Sequence, residues 1–161
     1  MKNLPKICLL LLICFTIIGC KKDLPIKDYI QWVSNAQNGL LKVKQFDNLQ
    51  IGVLYKPIDY LLAKEYKRGT LDEESTKTRK EELEGMQYFT LRFSSRDKVQ
   101  KALDIGISSQ EEYMARQSYL TDPLRQDIYL LENNDTLHCT MYHAVRNYDL
   151  APYIDVLLGF E

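Results

Sequence analysis

Cysteine is scarce where a fold would most use it. Three of the four cysteines, Cys8, Cys14 and Cys20, fall in the first twenty residues, and Cys139 alone follows them. A chain processed at that point keeps no pair for an intrachain disulfide, so burial and hydrogen bonding must hold it together. An excess of either charge is missing too, with 21 Lys and Arg against 22 Asp and Glu. That balance leaves no electrostatic footprint for nucleic acid, and no nucleic-acid partner is expected. No apolar run is long enough to cross a bilayer as a helix. Repeats, low-complexity tracts and linkers longer than a turn are absent as well, which points to one domain.

What is present is concentrated at the start. Met1 to Lys6 carries Lys2 and Lys6 and no acid, and Ile7 to Ile18 is a twelve-residue apolar run broken only by Thr16. As a helix that run reaches about 18 Å at roughly 1.5 Å per residue. A hydrocarbon core is about 30 Å thick, so the run fits the apolar segment of a signal peptide. It ends on Ile17-Ile18-Gly19-Cys20.

These residues resemble a bacterial lipoprotein signal peptide of type II, whose cleavage box is a small or aliphatic pair, then Gly or Ala, then Cys. The resemblance covers residues 1–20. It implies that residues 1–19 are removed and that Cys20 becomes the N-terminus, carrying a thioether-linked diacylglycerol and further acyl chains such as palmitate. More loosely, the whole chain is similar to uncharacterised lipoproteins of the Bacteroidota, a similarity that carries no activity with it. The implied address is the cell envelope, anchored at the outer membrane on its periplasmic or its surface face. No cofactor is expected beyond this covalent lipid.

Each buried methylene contributes about 0.8 kcal/mol, and one acyl chain gives only marginal attachment. Two or three chains on Cys20 would pass that margin. Residues 20–25 then form a lipidated tether, Lys21 to Pro25 reaching at most about 17 Å when extended. Cleavage would take Lys2 and Lys6 away, leaving 19 of the 21 basic residues against 22 acids and a charge of −3. The remaining residues, 26–161, suffice for a single globular domain with one core.

Periodicity organises that domain. Ile26, Tyr29, Ile30 and Val33 share a face of a helix over Pro25 to Ser34. Leu41, Val43 and Gln45, then Ile51, Val53 and Tyr55, alternate on either side of Asp47-Asn48 as a hairpin. Pro57 opens a helix to Arg68 that Gly69 caps. Asp72 to Glu84 reads as a solvated helix or a mobile connection, with Glu73 and Lys77 spaced for an ion pair. Gln87 to Ser94 is a strand with Phe89, Leu91 and Phe93 on one face, and Asp97 to Asp104 reads as a short helix. Ser109 to Glu112 is a capping box opening a helix toward Leu120. A meander closes the sequence, with strands at Asp127–Glu132, Thr136–Arg146 and Tyr153–Phe160. The expected class is α+β, with a mainly antiparallel sheet, a C-terminal three-strand meander and several short helices. Ile154, Val156, Leu158 and Phe160 make an apolar face that needs a strand on each side or a covering element. Either this strand is central, or the natural chain continues.

Chemistry-bearing residues are few. His138, Cys139 and His143 have metal-ligand types, yet neighbours on a strand point to opposite faces. Cys139 and His143 are also about 13 Å apart along it, whereas zinc needs ligands at about 2.0–2.3 Å. His143 shares a side with Leu137, Cys139 and Met141, which predicts a half-buried histidine, and Cys139 reads as a small buried hydrophobe. Ser95-Arg96-Asp97-Lys98 matches the Ser-x-x-Lys pattern of penicillin-recognising enzymes, without their Ser-Asp-Asn or Lys-Thr-Gly. Ser95 as an N-cap accounts for it. Tyrosine is the compositional excess, eleven against five Phe and one Trp. Tyr129, Tyr142, Tyr148 and Tyr153 crowd the meander beside His143, and tyrosines there suit either sheet packing or a binding surface. The expected role is a non-enzymatic binding or accessory protein with an envelope protein as partner. A small envelope enzyme or ligand carrier centred near His143 is the alternative.

Overall fold

The alternation Phe89-x-Leu91-x-Phe93 sets the frame of the molecule. In the computed structural model, which describes residues 24–146 and 151–161, it lies on β3 (Gln87–Ser95) near the middle of a six-stranded antiparallel sheet. The other strands are β1 (Leu41–Phe46), β2 (Leu49–Lys56), β4 (Tyr129–Glu132), β5 (Asp135–Ala144) and β6 (Tyr153–Phe160), in the order β1-β2-β3-β6-β5-β4. The domain is α+β, and β4, β5 and β6 form the meander. The signal-peptide residues, Cys20 and most of the tether lie outside the described residues, as does Tyr148.

β6 occupies the centre, paired to β3 on one side and β5 on the other. This accounts for its apolar face. Val53, Leu91, Val156 and Ala144 line up as one cross-strand row. Tyr55, Phe89, Leu158 and Tyr142 make the next. The core gathers Leu91, Leu124, Cys139, Val156, Leu158 and Phe160. Phe89 meets Tyr55 at 5.2 Å between ring centroids and Phe160 edge-on at 5.7 Å, geometry that adds to plain area burial.

Helices follow the sequence signals closely. α1 (Ile26–Val33) buries Val33 completely, and α2 (Ile58–Arg68) begins after Pro57 and ends at Gly69, whose φ of 72° is the left-handed conformation a C-cap needs. α3 (Thr76–Leu83) is a defined helix, seated by buried Leu83 and by Arg79. The Arg79 guanidinium donates to Glu65 of α2 at 2.9 Å and to Glu82 at 2.8 Å. Glu73 precedes α3, so the expected Glu73–Lys77 pair gives way to Lys77–Glu81 at 4.0 Å, an exposed contact of little energetic weight. α4 (Gln110–Thr121) has Ser109 as its N-cap, accepting from the Glu112 N–H at 3.2 Å. The reciprocal half of the box is displaced by one residue: Glu112 accepts from the N–H and hydroxyl of Ser108, at 2.8 and 2.9 Å.

One expected helix is absent. Residues 96–100 turn and bend away from a helix, with Lys98 at a φ of 59°, and only Ala102–Asp104 coils, as a 3-10 turn. Asp97 is the reason. Its Oδ1 accepts from the N–H groups of Val99 and Gln100 at 3.0 and 3.3 Å and from the Ser95 hydroxyl at 2.7 Å. A short acidic side chain that captures nearby amides competes with helix formation.

Phe160 is 3% exposed and touches the core from the central strand. Phe160→Ala is expected to lower the unfolding free energy by about 3–5 kcal/mol, read as a drop in urea midpoint at unchanged m-value.

Candidate functional site

The tyrosines and histidine of the meander are divided by one structural device. β5 pairs Cys139 with Phe160 and Met141 with Gly159, so an extra residue sits between them as a β-bulge. A single inserted residue reverses the side on which all later side chains emerge. Leu137 and Cys139 face the core before the bulge; Tyr142 and Ala144 face it afterwards. Met141 and His143 are turned to the opposite face. His143 is exposed, and the expected half-buried histidine beside Cys139 is corrected by the bulge. Cys139 itself is buried, its Sγ 3.1 Å from the Met141 carbonyl across the bulge. The same inversion keeps Cys139 and His143 from sharing a ligand.

Tyr142 turns inward and donates its hydroxyl to the Leu120 carbonyl of α4 at 2.6 Å, fastening helix to sheet. Burial pushes its hydroxyl up to about 12. Tyr129 lies half-exposed on the short edge strand β4, edge-on to His138 at 5.3 Å. Tyr153 is on the outer face, where the Arg92 guanidinium stacks 3.8 Å above its ring. The described members of the expected binding surface therefore fall in three places and do not form one surface.

The outer face carries the best-organised polar group. Arg92 on β3 and Asp155 on β6 are directly opposed in register, and the guanidinium forks onto the carboxylate through two bonds of 2.7 Å. Those bonds hold the Arg92 pKa above its ordinary value. Lys56 lies nearby with its pKa lowered, first by burial; Asp155 works against that shift and Lys64 adds to it. Sequence reasoning missed this clasp, because its partners are 63 residues apart and neither stands in a motif.

Two recesses open on the inner side. A groove of about 460 Å3 runs between β4 and the β2–β3 pair, floored by Phe89, Leu91 and Leu158 and walled by Val53, Leu130 and Leu131. A cleft of about 490 Å3 lies between α4 and the ends of β5 and β6, lined by residues that include Tyr113, Gln117, Arg146 and Ile154. His143 lines neither. The groove is an apolar trough with one rim residue, Leu131, 75% exposed. Its chemistry is that of excluding water from an apolar guest.

Several carboxylates are held below their usual range, each by a local turn. Asp72 is held by the Ser75 hydroxyl and N–H, Asp97 by the Val99 N–H and then the Ser95 hydroxyl, and Glu112 by the Ser108 N–H and hydroxyl. These groups stay ionised and fix loops. Ser95 is 1% exposed, with its hydroxyl given to Asp97; it is not the cap of a helix, and Lys98 sits across a turn from it. Among the described residues, no three His, Cys, Asp or Glu side chains converge on one point.

No family model matches this chain, and neither a curated protein nor a solved structure is detectably similar to it.

The raised Tyr142 hydroxyl makes a pH prediction. Unfolded, a tyrosine ionises near pH 10; folded, this one ionises only near 12. The stability it contributes is therefore complete below about pH 10 and lost as pH rises toward 12. Tyr142→Phe is expected to remove that alkaline loss, measured as urea stability across the window, and to delete the last step of the tyrosinate absorbance titration.

Proposed function

We propose that this protein is a lipid-anchored component of the bacterial cell envelope that binds another envelope protein and carries out no chemistry of its own. The observation that carries the reading is the leader: two lysines, an apolar run too short to span, and Ile17-Ile18-Gly19-Cys20 at its end. Acylation of Cys20 would hold the domain at a membrane surface, most simply at the outer membrane. The domain offers features suited to binding. The apolar groove beside β4 presents Val53 and Leu131 to solvent, and solvent-exposed apolar surface of this kind marks interaction sites. The ordered carboxylates serve turns, and the Arg92–Asp155 clasp joins two strands.

Cys20→Ala tests the anchor. In cells fed a clickable palmitate analogue, the wild-type chain is expected to take up label and pellet with membranes, and the variant to do neither. An unlabelled wild-type chain, or one retaining residues 1–19 by mass spectrometry, overturns the reading. A photo-crosslinking residue at position 131 then tests the groove as a contact. A discrete adduct with one envelope protein is expected; adducts with abundant porins alone count against it.

A further inference from the structure

α1 follows the tether directly, and its exposed side chains are of an unusual kind for a helix end. Leu24 is 52% exposed, Ile26 40% and Trp32 43%. Ile26, Tyr29 and Trp32 stand at i, i+3 and i+6, so they form one row along the helix. The Tyr29 and Trp32 rings are stacked, 6.4 Å between centroids with planes 13° apart. The row borders the face that buries Val33. Its apolar residues are thus continuous with the interior on one side and open to solvent on the other.

We infer that this row is a lipid-docking surface, with the headgroup region of the bilayer as its occupant. The inference rests on the proposed acylation of Cys20 and adds the orientation of the domain. The argument is one of reach and place. Lys21 to Pro25 spans at most about 17 Å, and the open apolar row begins where that segment ends. A membrane anchored at Cys20 therefore lies within contact distance of Leu24 and Ile26. The residue types match the position, since tryptophan and tyrosine favour the boundary between headgroups and hydrocarbon. The charge permits it too: Lys21, Lys22 and Lys27 outnumber Asp23 and Asp28 over residues 21–28, and cations near the surface favour anionic lipid. Three or four apolar side chains are too few to recruit a soluble protein. Behind a covalent anchor the same contact is intramolecular and needs no recruitment.

Trp32 is the chain's one tryptophan, so its fluorescence reports this surface without labelling. The full chain is produced in a bacterial host that processes lipoproteins, and its acylation is checked by mass spectrometry. It is then reconstituted into phosphatidylethanolamine–phosphatidylglycerol vesicles, with and without brominated acyl chains. For acylated protein, the Trp32 emission is expected to move to shorter wavelength and to be quenched by the brominated lipid. Leu24→Ser with Ile26→Ser, on the same tether, is expected to return both signals toward those in detergent-free buffer. Absence of acyl chains on Cys20 overturns the anchor and the docking together. Acylated protein whose emission neither shifts nor quenches overturns the docking alone. Quenching unchanged in the double variant also overturns it, because a short leash near a membrane would then explain the signal. A shift without quenching, appearing only as protein concentration rises, assigns the row to a second copy of the chain and overturns the lipid reading.

Discussion

The structure depends on β6 being paired on both sides. Its inward residues Val156, Leu158 and Phe160 are almost wholly buried, and each aligns with an apolar partner on β3, β5 or both. Cys139, the one cysteine among the described residues, is a free thiol, and it is this shared burial that supplies the stability of the described domain. The Arg92–Asp155 fork crosses the same β3–β6 boundary on the outer face. It is bidentate but partly exposed, so it fixes register more than it adds energy. Tyr142, reaching from β5 to the Leu120 carbonyl, ties the covering helix to that core.

Where a local signal decides a local structure, the sequence was legible. Pro57 and Gly69 bracket α2, Ser109 opens α4, and strict alternation marks β3. The apolar face of residues 154–160 left open a central strand or a longer natural chain, and β6 has a partner strand on each side. The hairpin was visible as well, but its sides were not. A two-residue turn sets Leu41 opposite Leu54 and Val43 opposite Gly52, which places Ile51, Val53 and Tyr55 on the other face. Alternation reveals that a strand has two sides, whereas register decides which side is inner.

Non-local pairing explains what stayed hidden. The β5 bulge carries no glycine or proline to announce it, and Leu137, Cys139, Met141 and His143 read as an unbroken alternation. The inversion becomes visible only once Phe160 and Gly159 supply the pairing partners. The Asp97 turn deceived differently: residues 97–104 have helix-compatible composition, and a single carboxylate taking up two amides and a hydroxyl redirects the backbone. The tyrosine cluster looked like one surface in sequence because its members are close in number. The two faces of the sheet and its β4 edge separate Tyr142, Tyr153 and Tyr129. On the reading proposed for this chain, the address is written in a local motif and the binding surfaces are assembled over distance.

The position of β6 has a consequence for how the molecule is made. Five strands precede it in the sequence, yet the sheet order inserts it between β3 and β5. Until residues 153–160 arrive, β1-β2-β3 and β4-β5 are separate fragments, each with a raw hydrogen-bonding edge facing the gap. Long-range closure of this sort is slow relative to local hairpins, and open edges invite pairing with the wrong chain. A chain delivered N-terminus first across a membrane would hold that vulnerable state for the whole of its passage. The strand order itself thus leaves both edges open until β6 is in place.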